Sequence, residues 1–132
     1  VIAYLIDSDI FIDYLNGKNE AVQLLSHFIS DESAASSIIV YAEVYEGLVR
    51  SARADAYLAA FNDVLAVISV LGLDMRIAEH FARLRSFLRR GGQMISDHDL
   101  WIAATALTHD LTVVSRDQHF SRIPDLKTYP LA

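Results

Sequence analysis

The order of apolar segments in this 132-residue chain predicts an α/β fold, and three observations carry that prediction. Short runs rich in branched or small residues recur, separated by longer stretches whose apolar residues fall at helical spacing. Helix-start and helix-stop residues flank those stretches. The chain is 53% hydrophobic and 21% charged, a balance suited to elements that hide both faces. Strands alternating with helices imply parallel pairing and a sheet covered on both sides.

Residues 1–6 are apolar and branched, a buried strand. Ser8 and Asp9 supply starting chemistry for a helix over 10–15, and Asn16-Gly17 stops it. A second helix over 19–29 has Ala21, Leu24, Leu25 and Phe28 as its apolar stripe. Residues 33–36 form a short strand of small residues. Ser37 then caps a helix over 38–49, where Val40, Val44 and Leu48 fall at near-helical spacing. Another helix covers 53–64 and a strand 66–70. Asp74 opens a long amphipathic helix to Arg90, stopped by Gly91-Gly92. Residues 97–108 are helical with Leu100, Ala103, Ala104 and Leu107 on the packing side, and Asp97 is positioned to cap them. Residues 111–115 form the last strand, Arg116 and Asp117 turn the chain, and a tail with Ile123, Pro124 and Tyr129 adds an edge strand or closing loop.

The length suits one hydrophobic core, so residues 1–132 are expected to form a single domain. No repeat, low-complexity tract or linker divides them. No apolar run reaches the roughly 18 residues of a bilayer span, and no basic leader precedes a cleavage-like signal. The expectation is a soluble, cytoplasmic protein with no membrane partner. Cysteine is absent, which excludes disulfides, thiolate nucleophiles and cysteine zinc sites. His98, His109 and His119 are too irregularly placed for a zinc cluster and are expected to be structural or exposed. A net charge of -6 gives no general field for nucleic acid. Yet Arg76, Arg83, Arg85, Arg89 and Arg90 are nearly half of the 11 Lys and Arg residues, within one short window. Such a rim can steer a phosphate-bearing polymer, and a solvated helix face explains it equally.

Carboxylates beyond the C-terminal ends of neighbouring strands can meet even when distant in sequence. Asp7 follows YLI and Asp117 follows TVVSR, both at strand exits; Glu43 and Asp99 lie on otherwise apolar helices. Acids brought together without a cation repel one another, and a divalent ion reverses that penalty. A hard cation would polarise a phosphoryl oxygen and activate water, so the chemistry implied is metal-assisted phosphodiester hydrolysis.

Asp7 in LIDSDIFID, Glu43 in IIVYAEVYEGL, Asp99 in ISDHDLWIAATAL and Asp117 in VVSRDQHF resemble, in order and context, the acidic motifs of PIN-domain ribonucleases. More narrowly, the chain resembles the VapC toxins of toxin–antitoxin pairs, over nearly its whole length. The resemblance implies an α/β/α sandwich with a mainly parallel sheet, endoribonuclease activity dependent on Mg²⁺ or Mn²⁺, a homodimer, and inhibition by a cognate antitoxin. It makes Asp7, Glu43 and Asp99 metal ligands, with Asp117 completing the pocket. Ser115 stands where the family pattern often has threonine and keeps the hydroxyl.

Each site residue has an ordinary structural alternative. Asp7 could simply end a strand or cap a helix. Asp9 suits a helix dipole better than a metal, and Asp13 is expected to be peripheral. Glu46 and Asp97 are nearby contributors beside Glu43 and Asp99, and Gly47, one turn from Glu43, could open space beside it. Asp117 fits both a phosphate-facing turn and an Asx turn. Ser115 and Arg116 could touch phosphate or serve structure. Arg83, Arg85, Arg89 and Arg90 could receive RNA or an acidic antitoxin segment. Trp101 reads as a core or interface anchor, and Phe11, Tyr14, Tyr41 and Tyr45 could extend an apolar interface. Two other functions compete: a non-catalytic RNA-binding or protein-interaction module, and a haloacid-dehalogenase-like phosphatase suggested by Asp7-Ser8-Asp9. The latter lacks the expected hydroxylated residue at Phe11 and a convincing catalytic lysine.

Overall fold

The computed structural model of the chain describes residues 1–131. In order, β1 (Tyr4–Ile6) leads into α1 (Ser8–Leu15) and α2 (Asn19–Ser30). β2 (Ala34–Ser37) leads into α3 (Ile38–Val49) and α4 (Ala54–Leu65), and β3 (Ser69–Leu71) into α5 (Met75–Arg90) and α6 (Asp97–His109). β4 (Thr112–Val114) and a 3-10 turn, Gln118–Arg122, follow. The strands form one parallel sheet in the order β3-β2-β1-β4.

That order explains the layering. Passing from β1 to β2 to β3 moves one way across the sheet, so right-handed crossovers place α1 to α4 on one face. Returning from β3 to β4 reverses the direction and places α5 and α6 on the other. The packing agrees, since α1 contacts α2, α3 and α4, while α5 runs against α6. The result is the expected α/β/α sandwich. Its strand order reverses between β1 and β4, and open α/β sheets bind ligands beyond the carboxyl ends of strands at such a place.

The apolar spacing explains which faces are hidden. Leu5 and Ile6 on the inner strand β1 are fully buried, as are Val40 and Val44 of α3 and Ile77 of α5. In α6, Leu100, Ile102, Ala103, Ala104 and Ala106 are all buried, so this helix packs on more than one side. Phe81 and Trp101 stack between α5 and α6 with ring centroids 3.9 Å apart. Trp101 is therefore tied up in helix packing. Phe11 belongs to the core, edge-on to Phe61, rather than to an outer apolar surface.

Local chemistry moves several boundaries. Ser37 ends β2 and caps α3, its hydroxyl accepting from the Val40 amide at 3.1 Å. β3 starts later than residue 66 because the Ala66 and Val67 amides still bond to Asn62 and Val64 carbonyls at the end of α4. Ser96, not Asp97, caps α6, accepting from the Asp99 amide at 3.2 Å; Asp97 is the first helical residue and pairs with Arg85. Asp7, rather than Ser8 or Asp9, is the N-cap residue of α1. The tail combines both expectations: Thr128 makes a single parallel bridge to Val113, with Tyr129 donating back to the Val113 carbonyl. Among the described residues, no helix is long and apolar enough to cross a membrane.

Because Ser37 is buried and satisfies one of the first amides of α3, replacing it should loosen the helix that carries Glu43. Ser37→Ala is expected to lower unfolding stability by about 1 kcal/mol. Urea denaturation checks this; an unchanged midpoint would refute the capping role.

Candidate active site

Asp7 is the first residue past the end of β1, and its amide extends the ladder by donating to the Val114 carbonyl at 3.0 Å. Its side chain lies between the two strands' ends, and the residue is only 5% exposed. Oδ1 accepts from the Ser8 amide at 2.7 Å and Oδ2 from the Ser115 hydroxyl at 2.6 Å. Burial pushes the carboxyl from 3.8 up to about 7. The bonds from Ser115 and Ser8 oppose that rise, and the nearby charges of Asp9 and Glu43 add to it. Asp7 thus caps a helix and sits among other acids, two roles that the sequence left as alternatives.

Ser115 links Asp7 to the turn that follows β4. Its hydroxyl donates to Asp7 and accepts from the Asp117 amide at 3.0 Å. Asp117 in turn accepts from the His119 amide at 2.9 Å through Oδ1, a true Asx turn that starts the 3-10 segment. The same carboxylate faces Asp99. Asp99 projects from the first turn of α6, and its carboxyl is pushed up to about 6 by burial first and by the Asp117 charge second, with Glu43 adding to the rise. Glu43, from the middle of α3, has Oε2 3.3 Å from His98 Nδ1. Its Oε1 is buried and has no hydrogen-bond partner.

Of the four predicted acids, Asp99 and Asp117 come within ligand reach of each other, Glu43 bears on Asp99 and on Asp7 through its charge, and Asp7 is tied to the Asp117 turn through Ser115. Two histidines that the sequence gave no site role also arrive there. His98 touches Glu43, and His119 Nδ1 lies 3.1 Å from Asp117 Oδ1 and 4.0 Å from Asp99 Oδ2. The available signal was local: His98 adjoins Asp99, and His119 is two residues beyond Asp117. Glu46 points away into solvent, and Gly47 has open space where a side chain would begin, so no close contact demands that glycine.

Against the expectation of a solvated, peripheral Asp13, the residue stays outside the group of candidate ligands but does not face water. Asp13 is 8% exposed and bonds to Arg116 Nη2 at 2.8 Å and Lys18 Nζ at 3.2 Å. Two cations thus face its carboxylate at a buried position. Asp9 does more than favour a helix dipole, because its Oδ2 accepts from the Arg116 amide at 2.8 Å. Burial raises the Asp9 pKa, opposed by that bond and by the Arg116 charge. Arg116 is thus engaged by α1 through both its amide and its guanidinium. The three acids of the opening stretch hold the Ser115 to Asp117 turn against the start of the chain. Of the basic window, Arg85 is engaged with Asp97, while Arg83, Arg89 and Arg90 are exposed on α5.

The donor set fits a hard divalent cation. Asp99 and Asp117 offer oxygens within 4.8 Å of each other, Asp117 and Glu43 both raise the Asp99 carboxyl through their charges, and the buried Oε1 of Glu43 lacks a donor. In the metal-free protein the raised Asp7 and Asp99 carboxyls bind protons that the unfolded chain has already lost. Their contribution to stability is full below about pH 4 and is lost as pH rises through about 6 and about 7. Thermal midpoints of metal-free protein, measured between about pH 5 and about pH 7.5, should fall with pH in the parent and less steeply in Asp7→Asn. Equal slopes would contradict the burial assigned to Asp7.

The family model described as PIN domain matches residues 4–126. Ribonuclease VapC2 of Haemophilus influenzae is 30% identical over 131 residues, covering 97% of each chain. The fold is that of VapBC2 from Rickettsia felis, whose solved structure is bound to a promoter DNA fragment (TM-score 0.88, 23% identity, 97% of this chain and 98% of that one). A toxin–antitoxin complex from Klebsiella pneumoniae superposes with a TM-score of 0.76 at 27% identity, over 98% of this chain and 100% of that one. A parallel sheet with acids gathered where its strand order reverses, matched from end to end by such relatives, leaves one family assignment: the chain belongs to the PIN domain family, among the VapC ribonucleases.

Proposed function

We propose that this chain is a metal-dependent endoribonuclease and the toxin of a toxin–antitoxin pair, with Asp7, Glu43, Asp99 and Asp117 as its metal-binding and catalytic residues. The observation that supports the site assignment is the approach of Asp99 and Asp117 beyond the strand ends, with Glu43 acting on Asp99 and Asp7 through its charge and its Oε1 buried and lacking a hydrogen-bond partner. One or two cations, Mg²⁺ or Mn²⁺, would be held by these carboxylates. When bound, such an ion supplies a Lewis acid for a phosphoryl oxygen and lowers the pKa of water.

The protein's own groups prepare that chemistry. Ser115 fixes one oxygen of Asp7 while receiving the Asp117 amide, so a single hydroxyl sets the separation between strand end and turn. Asp9 and Asp13 hold Arg116, which keeps the turn from swinging away. His98 donates toward one oxygen of Glu43 and leaves the other free. A net charge of -6 repels RNA overall, so the exposed Arg83, Arg89 and Arg90 are the groups available to track its phosphates. Arg85 would bear on RNA only after leaving Asp97. The same basic rim suits an acidic segment of an antitoxin. We place the protein in the cytoplasm as a homodimer when active.

Asp7→Asn, Glu43→Gln and Asp99→Asn should each lower the rate of RNA cleavage in Mg²⁺ or Mn²⁺ by about 100-fold or more. Gel assays on a mixed-sequence RNA check this, and retained cleavage in all three would overturn the site. RNA binding without turnover in the parent would favour the non-catalytic reading, and a covalent aspartyl phosphate the phosphatase one.

Saturating Mn²⁺ should also stabilise the parent against heat. About 2.7 kcal/mol is expected at 100 times the dissociation constant. Thermal unfolding with and without the ion tests this, and the shift should be largely lost in Asp99→Asn.

A further inference from the structure

We propose that His119 is a further metal ligand, making Asp99, Asp117 and His119 a mixed oxygen and nitrogen site that favours a first-row transition ion over Mg²⁺; this rests on the metal-dependent reading above. The three residues each offer one ligand atom within 4.8 Å of the others. His119 Nδ1 is 3.1 Å from Asp117 Oδ1 and 4.0 Å from Asp99 Oδ2. Donors bound about 2.1 Å from one ion stand about 3.0 Å apart when adjacent and about 4.2 Å apart when opposite. The observed separations already lie within that span.

The ring is placed by the backbone. Asp117 accepts the His119 amide at 2.9 Å, and the next residue, Phe120, is buried at 1% exposure with its carbonyl bonded by the Ile123 amide. The turn is therefore anchored on both sides of His119. The imidazole itself has no packing duty, its side chain being 53% exposed. The ion pairs its ring makes among the described residues are with the two carboxylates. His80 differs, since its Nδ1 contacts the Thr108 hydroxyl at 2.7 Å, and His98 differs in meeting a single carboxylate.

Ligand chemistry then sets the preference. Mg²⁺ takes oxygen donors and sheds water reluctantly, whereas imidazole nitrogen binds transition ions increasingly well along the first row. A nitrogen beside two carboxylates thus adds more to Mn²⁺ or Co²⁺ than to Mg²⁺. A surface ion pair between His119 and Asp117 would give the same resting distances without any metal preference.

The test compares the 132-residue parent, His119→Ala, His98→Ala and Asp99→Asn, all metal-free at the start. Calorimetric titration with MnCl₂ and with MgCl₂ should show His119→Ala binding Mn²⁺ about tenfold more weakly while Mg²⁺ affinity changes less than about twofold. Pulsed electron paramagnetic resonance of bound Mn²⁺ should show nitrogen coupling in the parent and in His98→Ala, and none in His119→Ala. Equal weakening for both ions, no weakening for either, or nitrogen coupling that survives in His119→Ala would overturn the assignment. If instead Asp99→Asn binds Mn²⁺ as the parent does, the metal-centre reading itself falls and takes the proposal with it.

Discussion

Carboxylates gathered beyond the ends of β1 and β4 repel each other and resist losing water, and the surrounding structure is arranged to hold them there. Asp7 shows how. It is almost wholly buried, yet both of its oxygens are used, one by the backbone of its own helix and the other by Ser115 from the far end of the chain. Those bonds recover part of the cost of burial, and the remainder appears as a carboxyl that holds its proton to about pH 7. A cation is the natural counterpart of that remainder. The same imbalance recurs at Asp99, where burial and the neighbouring acid Asp117 outweigh the hydrogen bond from Ser96.

Such a cluster needs stiff supports, because repulsion would otherwise spread it. The parallel pairing of β1 with β4 supplies one, and the engagement of Arg116 by Asp9 and Asp13 supplies another. With Arg116 half exposed, these pairs add little stability, and their effect is to fix where a turn sits. The acids nearest Asp7 in sequence are thus spent on geometry, while its partners in chemistry come from α3, α6 and the turn after β4. That division explains how a chain of net negative charge can gather still more negative charge locally without losing its fold.

Much of this was legible in the residues. Periodicity and caps located all four strands and six helices, because α3 and the long α5 carry clear start signals at Ser37 and Asp74. Asp7 and Asp117 were recognisable as strand exits. The burial of Asp13 was not, since it depends on Lys18 nearby and on Arg116 from the other end of the chain, and only the latter pairing requires the fold. The capping of α6 by Ser96 rather than Asp97 turned on a one-residue shift that either side chain could satisfy. His119 escaped notice for a different reason: a histidine two residues after an acid is unremarkable until the chain between them turns through an Asx bond.

The bond from Ser115 to Asp7 joins residues 108 positions apart, and the ladder beside it pairs the first strand with the last. Closing so large a loop is entropically slow, and it cannot begin during synthesis until the chain has been extended past Asp117. Until then, Asp7 has neither its hydroxyl donor nor its neighbouring strand, and the acids lack the frame that gathers them. Order of synthesis therefore acts as a timer: until the turn after β4 has been made, a nascent chain holds the parts of a nuclease without being one.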